Sequence, residues 1–560
     1  MEFVRAVLKY NRETQEVKPN VSNSFEELYA DFRSEQMDSS HRFHLVLHPK
    51  QDTLVLEECY LEFRLTADAT TSFWCNGFQS SSISRMWRQG QGFPGPSWLD
   101  RFRSPLQGDY HFPNTYQDDK RPHSWTYALF GQGDHWQVVG SLLESTAFTL
   151  MEYDLAESVL RVRKDCQGLQ LTHSFPILNL LLYQGTQQEV CEAYFKAFAD
   201  HQSPSSVQAM WIHRPHQQPS LQQALEALPA ETFDIIVLDQ SYATSTGDWL
   251  NPSPALQEGL GGVARAIRQS GRRSCIQLAP FVCSASSHWF RERKNCLLKG
   301  PDGQPLKLRA LGSQKEDLYV LDFYREEVQD HLTKLLLRLT EKWGFDAIYL
   351  DALYAVCVWP RPDKTRGQLL YDALDFVQSM TEGRLLFMGQ VPLAGAWGRA
   401  SVVQQGARLP HRWSARSNIR EKTAVVDALR MALESWPLTS DLVGHWWGAF
   451  SLVDGKNSLS SAQQHTQLLI QTLLGTLLST ADDWSAYQPE QESEWAAVWQ
   501  WRDREVQSVR ALEREVYGIT FRSGGEKHLA VCNLADSPKN LRIQGRAIQL
   551  DAFESLVFSA

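Results

Sequence analysis

Three aspartates each close a short apolar run: Asp239 after Ile235-Ile-Val-Leu238, Asp322 after Leu318-Tyr-Val-Leu321, and Asp351 after Ala347-Ile-Tyr-Leu350. A carboxylate placed directly after a buried strand is costly unless it is paired or used. Where parallel strands close into a barrel, the residues at their C-terminal ends line the active site. Carboxylates converging there can serve as nucleophile and as general acid or base. A pair about 5–5.5 Å apart is the arrangement that retaining cleavage of a glycosidic bond requires. Other barrel chemistries find less support. Metal-assisted hydrolysis wants a histidine cluster, and neither His-x-His nor His-Glu-x-x-His occurs. A phosphate site wants a Gly-rich loop, and the nearest match, Gly259-Leu-Gly-Gly262, falls inside a helical stretch. No metal or organic cofactor is expected.

The elements that must position these acids change in texture along the chain. Up to about residue 180 the pattern is short strands: Phe43–His48, Thr53–Glu57, Tyr60–Leu65, Trp136–Gly140 and Ser158–Arg163, separated by turn residues. That spacing predicts a β-sandwich. The polar, Gly- and Pro-rich stretch from Ser80 to Pro122 reads as loops over it. A helix is predicted over about 187–201. From about 205 to 490, apolar runs alternate with amphipathic helices: strands at Phe233–Asp239, Ser274–Phe281, Asp346–Asp351 and Leu385–Met388, helices at Leu256–Ser270, Arg325–Trp343 and Gly367–Met380. Repeated β-then-α units over this length predict one (β/α)8 barrel. A helix over about 492–514 precedes a return to strands at His528–Asn533, Leu541–Ile543 and Ser555–Phe558. The expected fold class is therefore multidomain α/β plus β: an N-terminal β-sandwich (1–185), a helical linker (186–204), a central (β/α)8 TIM barrel (205–495) and a small C-terminal antiparallel β domain (496–560).

Composition narrows the partners. Among 560 residues, 43% are hydrophobic and 21% charged, as in folded globular proteins. The net charge of −10, with no basic stripe, argues against nucleic acid. No apolar run of about 18 residues suggests a membrane span. The charged N-terminus reads as no signal peptide, and nine scattered cysteines without a Cys-x-x-Cys pair read as buried reduced thiols. A cytoplasmic protein is expected. Its 19 tryptophans supply flat faces suited to sugar rings as well as to cores; Trp446-Trp447 could be either. The expected partner is an oligosaccharide or glycoside, with homo-oligomerisation left open.

Several strings resemble the family 36 α-galactosidases of the glycoside hydrolases. Cys75-Asn-Gly-Phe-Gln-Ser80 is similar to the Asn-Gly-Tyr-Gln-Ser-Trp loop that the family sends from its sandwich into the active site. Leu238-Asp-Gln-Ser-Tyr242 with Gly247-Asp-Trp249 is similar to the family's Asp-Asp strand end and Gly-Asp-Trp. Leu278-Ala-Pro-Phe281, Leu321-Asp322, Tyr349-Leu-Asp351, Gly389-Gln-Val-Pro-Leu393, Gly398 to Trp413 and Ala481-Asp-Asp483 follow in the family's order. The resemblance spans about residues 70 to 490. It implies a retaining glycosidase cleaving a terminal α-linked sugar, with Asp351 as nucleophile and Asp239 binding sugar hydroxyls. It also implies that Phe78 closes the pocket from the sandwich side and that Trp413 lies beside the acid/base segment.

The site departs from the family's pattern at the groups that would touch substrate. The second aspartate of the pair is Gln240, the substrate-binding Lys is Tyr349, and the Trp before Ala-Pro-Phe is Gln277. The acid/base segment Arg-Ile-Gly-Pro-Asp is matched by Gln404-Gln-Gly-Ala-Arg408, which puts Arg408 where the proton donor would stand. An arginine cannot act as a general acid at neutral pH. Three readings stay open. The chain cleaves an altered glycoside, with Arg408 and Gln404 contacting an anionic sugar; a displaced acid (Asp363, Asp441, Asp483, His411 or His445) takes over; or the chain binds carbohydrate without cleaving it.

Overall fold

The computed structural model describes all residues except 66, 68–69, 89–120, 155, 199–206, 230–231, 255, 257, 309–315, 409–411, 415–423, 441, 454–458, 544 and 560. Most of the stretch between Ser80 and Pro122, and the candidates Asp441 and His411, therefore lie outside the described residues.

The N-terminal strands form two antiparallel sheets. One runs Glu13–Val17, Glu2–Tyr10, Leu54–Arg64, Val159–Lys164, Thr149–Asp154, His123–Trp125, with Leu169–Leu171 also on Leu54–Arg64. The other contains Leu28–Met37, Ser40–Pro49, Phe175–Gly185, His135–Ser141, Tyr127–Gln132 and Ser72–Cys75 among its members. Alternate residues of both, including Leu8, Leu45, Leu61, Phe63 and Leu180, share one buried core, as expected for a sandwich. One strand was misread from sequence: Thr53–Glu57 and Tyr60–Leu65 are a single strand, Leu54–Arg64. Its register against the first strand shifts between Lys9 and Tyr10, where Glu57 is the extra residue. Such a bulge flips the alternation and imitates a break.

The middle of the chain builds a curled, wholly parallel sheet. Its order is Gly444–Trp446, Val402–Gln404, Leu385–Met388, Ala347–Leu350, Arg273–Leu278, Ile235–Leu238, Ala209–His213, Leu478–Thr480, Ala449–Phe450. The two outermost segments are consecutive in the chain, separated only by Trp447 and Gly448. Helices Gly259–Gln269, Arg366–Met380, Val425–Thr439 and Ser461–Leu474 return the chain between strands. The long helix expected over Arg325–Trp343 is an α-helix only to Leu337, then widens to a π turn over Arg338–Lys342. The segment Leu318–Val320 before Asp322 is not part of the parallel sheet. It pairs antiparallel with Val282–Ser284 and Lys307–Leu308.

After the helix Pro489–Trp499 the chain enters a four-stranded antiparallel sheet: Glu505–Glu513, Val516–Ser523, Glu526–Asn533 and Ser555–Ser559. The helix expected to continue to about 514 stops early. Glu505–Glu513 is an edge strand with most of its residues exposed, so its charges gave no period-2 signal. All nine cysteines are buried, and among the described residues no helix is long and apolar enough to cross a membrane.

The sandwich is tied onto the parallel-sheet unit at several points. Gly140 leaves room for the ring of Tyr194 in the helix Gln187–Phe198; a Cβ there would stand 2.1 Å from that ring. Arg366, at the start of the helix Arg366–Met380, is fully buried and bonds Asp165 at 2.6 Å. Just beneath, Lys164 is buried with Glu144, 3.7 Å away, both side chains having no exposure. Lys164 Nζ also donates to Leu143 O and Thr149 Oγ1. Removing one partner of such a pair leaves an uncompensated buried charge. Lys164→Met is expected to cost about 3–5 kcal/mol, and adding Glu144→Gln should recover part of it; urea unfolding of both variants measures the difference.

Candidate active site

The polar groups singled out from sequence meet at the C-terminal ends of neighbouring parallel strands. Asp239 follows Ile235–Leu238, Gln277 lies within Arg273–Leu278, Tyr349 and Asp351 lie in and after Ala347–Leu350, and Gln404 ends Val402–Gln404. Period-2 alternation puts Tyr349 and Asp351 on the same side of their strand.

A continuous hydrogen-bonded chain joins them. Asp351 Oδ1 accepts the amide of Ala352 at 2.8 Å, and Oδ2 accepts Nε2 of Gln277 at 3.1 Å. The other end of that amide, Gln277 Oε1, accepts from Arg408 Nη1. The same Nη1 donates to Asp239 Oδ2 at 2.6 Å, and Asp239 Oδ1 accepts the amide of Ser241 at 3.0 Å. Alongside, the Tyr349 hydroxyl donates to Gln404 Oε1 at 3.2 Å, and Gln404 Nε2 donates to the Gly406 carbonyl. Gln240 contributes its backbone amide, 3.5 Å from Gln277 Oε1.

Gly389, just past the strand Leu385–Met388, closes the floor. A Cβ there would stand 2.7 Å from the Tyr349 hydroxyl, 3.0 Å from Gln404 Oε1 and 3.1 Å from Asp351 Oδ1. Only glycine lets these three groups crowd onto the backbone. The residues that follow two of the strands, Ala352 (φ 52°) and Gln390 (φ 47°), adopt left-handed conformations. For non-glycine residues such geometry costs about 1–3 kcal/mol and gathers at functional sites.

The electrostatics separate the two acids. Burial would push the Asp239 carboxyl up, but the Arg408 charge and the hydrogen bond from the Ser241 amide outweigh it and hold it below the usual range. For Asp351 burial wins: its carboxyl is raised despite Arg408, the Ala352 amide and Gln277. Burial disfavours the Arg408 cation, yet Asp239, Tyr349 and Asp351 together raise it. Asp239 is thus a firm anion locked to a firm cation, and Asp351 is the carboxyl whose proton is more tightly held.

The loop from the sandwich reaches this mouth. Ser80 N donates to Val391 O at 2.9 Å, and Gly406 N donates to Ser80 O at 2.9 Å. Phe78, expected to close the pocket, is 3% exposed and packs edge-on against Trp125 and Phe148. Trp413 packs its ring against Phe553 of the C-terminal segment, 5.2 Å between centroids. Trp446 and Trp447 are each 1% exposed, so they are packing residues. In Gly247-Asp-Trp249, Asp248 accepts the amide of His288 and Trp249 is buried, which ties two loops together. Asp322 binds Arg361 at 2.9 Å, off the parallel sheet. Asp363 is an exposed partner of Arg361, Asp483 caps a turn at Ser485, and His445 is bonded to Gln405 and Thr439.

Residues passed over in the sequence reading also belong here. The strand Ala209–His213 ends on His213, whose carbonyl accepts the Asp239 amide at 2.9 Å and whose imidazole burial pushes down to about 4. Next to it, Arg214 bonds Gln217 and the Ala481 carbonyl. A five-residue strand carries too few positions for a period to show. His213 Nδ1, Arg214 Nε, Ser241 Oγ and Gln390 Oε1 are buried without partners among the described residues.

No protein-family model matches the chain, and neither does any curated protein sequence. Solved structures do. An α-galactosidase from Thermus thermophilus, TtGalA, determined with p-nitrophenyl α-D-galactopyranoside, superposes with a TM-score of 0.69, covering 94% of this chain and 98% of that one at 19% identity. The GH36 α-galactosidase AgaA from Geobacillus stearothermophilus gives 0.63 over 95% and 80% at 14% identity. The α-galactosidase from Lactobacillus brevis gives 0.61 over 96% and 80% at 12% identity. The chain has the fold of the family 36 α-galactosidases.

The Arg408–Asp239 pair makes a pH-dependent contribution to stability. Because the folded-state pKa of Asp239 is depressed, that contribution is present above the ordinary carboxylate value of 3.8 and is lost as pH falls through the folded value. Arg408→Met is expected to cost about 3–5 kcal/mol at neutral pH. The difference from wild type should shrink as pH falls and Asp239, whose carboxyl burial raises once Arg408 is gone, becomes protonated in the variant; urea unfolding across pH reads it.

Proposed function

We propose that the chain is an α-galactosidase-like glycoside hydrolase in which Asp351 is the nucleophile of a double displacement at a terminal α-linked sugar, with a specificity altered from plain galactosides. The observation that carries this reading is the placement of Asp351. It ends a strand of the curled parallel sheet, is buried and oriented by Ala352 and Gln277, and lies in a fold otherwise known here from proteins solved with p-nitrophenyl α-D-galactopyranoside and with stachyose. We read the curled sheet as a (β/α)8 barrel, counting Gly444–Phe450 as one interrupted strand, with boundaries near residues 185, 205 and 495.

In the first step a carboxylate oxygen of Asp351 attacks the anomeric carbon as the bond to the leaving oxygen breaks. The leaving oxygen keeps the bonding pair. Arg408 stands where a proton donor would and cannot give one up, and Asp239 is ionised, so departure is fastest for leaving groups that are stable as anions. Water then attacks the glycosyl-enzyme, one proton passes to solvent, and Asp351 is regenerated. Since Asp351 must be ionised to attack, kcat/KM is expected to rise with pH through a value above the usual carboxylate range.

A second reading, carbohydrate binding without turnover, is favoured by the lock between Arg408 and Asp239. It leaves the Asp239 carboxylate unable to serve as the acid that protonates a leaving oxygen. A panel of aryl α-glycosides, together with a mechanism-based fluoro-sugar or cyclitol inactivator, separates the two. Hydrolysis requires one covalent label per chain, absent in Asp351→Asn. Absence of label and of turnover, with sugar still raising Tm, would favour binding alone; no thermal shift with any sugar removes both readings.

A further inference from the structure

Arg408 has more donors than its partners use. A guanidinium carries five N–H groups. Nη1 serves both Asp239 and Gln277, and among the described residues Nε and Nη2 have no partner. Those two nitrogens form the edge that binds carboxylates and sulfates in parallel, two-bond geometry. The side chain keeps 18% exposure, against 6% for Asp239, so the cation is the more open member of the pair.

The neighbours make this edge a receptor for negative charge. Positions that would carry charge in the resembling family hold the neutral groups Gln240 and Tyr349, and Gln277 beside them is neutral too. Arg214 adds a second guanidinium close enough for Asp239 and Arg408 both to influence it. Against these two cations stands one firmly ionised carboxylate, Asp239, while burial pushes Asp351 and Asp482 towards their neutral forms. The unpartnered polar atoms of His213, Arg214, Ser241 and Gln390 lie on the same strand ends. A buried polar atom without a partner calls for a ligand or water to complete it.

We infer that this site takes a sugar bearing an oxyanion, a carboxylate or a sulfate ester, held side-on by Nε and Nη2 of Arg408 while Nη1 stays on Asp239 and Gln277. The inference rests on the sugar site proposed above and adds its charge class; it does not depend on turnover.

Titration calorimetry of the full chain with D-galactose, D-galacturonic acid and D-galactose 6-sulfate tests it. At least one of the charged sugars should bind roughly ten-fold or more tightly than galactose, and the better of the two identifies the carboxylate or the sulfate as the group recognised. The preference should weaken with added salt. Arg408→Lys, which keeps the charge and removes the fork, should lose most of the preference while a Tm measurement confirms the fold. Equal or weaker binding of both charged sugars would overturn the inference and leave the glycosidase reading standing. A preference unchanged in Arg408→Lys would overturn the assignment to Arg408. Preferred binding of a charged sugar without any covalent label or turnover would uphold the inference while removing the catalytic reading.

Discussion

A guanidinium held among the strand ends of a curled parallel sheet must be neutralised where it stands, and the site is organised around that requirement. Taking one such ion out of water costs several kcal/mol even after the protein relaxes. Arg408 meets the cost with Asp239 at 2.6 Å and with the carbonyl end of Gln277. Because Gln277 then has its amide nitrogen facing the other way, it donates to Asp351. One cation thereby fixes the orientation of an amide and, through it, of the candidate nucleophile. The chain of bonds crosses segments far apart in sequence, from Asp239 to Arg408, so it also cements the strand ends into one rim.

The rest of the architecture holds this rim in place from outside. The segment after Val402–Gln404 must turn across the mouth to deliver Arg408. It does so with Gly406 at φ 73° bonded to Ser80 of the sandwich loop, and with the Arg408 carbonyl bonded to Ala449. The sandwich therefore reaches the site through backbone bonds, while its aromatic Phe78 packs in the core that the sandwich shares with the parallel-sheet unit. Strained backbone at Ala352 and Gln390 and the bare face of Gly389 are tolerated because the surrounding sheet over-determines them.

This arrangement explains how a fold shared with α-galactosidases can carry a different set of site groups. An arginine at this place in the rim has more than one effect. It adds a permanent charge and draws Asp239 into an ion pair. Gln277 and Tyr349 are compatible with it, since a neutral amide can bridge cation and carboxylate and a phenol can bond Gln404 without adding charge. Together these residues form one hydrogen-bonded network.

The amino-acid sequence by itself determined the class of fold and the candidate nucleophile position. Long apolar runs and helical periods are local properties, and they placed Asp239 and Asp351 at strand ends correctly. It failed where the signal was short or two-sided. The strands Ala209–His213, Val402–Gln404 and Leu478–Thr480 are too brief to show a period, the bulge at Glu57 imitated a turn, and the edge strand Glu505–Glu513 imitated a helix. Asp322 closes an apolar run as Asp351 does, yet its strand pairs in a different sheet. Only tertiary structure decided which strand ends are neighbours, that Arg408 grips Asp239, and that Phe78 and Trp413 face cores. Those outcomes depend on pairing between segments far apart in the chain, 169 residues for Arg408 and Asp239, and no local pattern encodes the distance between two such side chains.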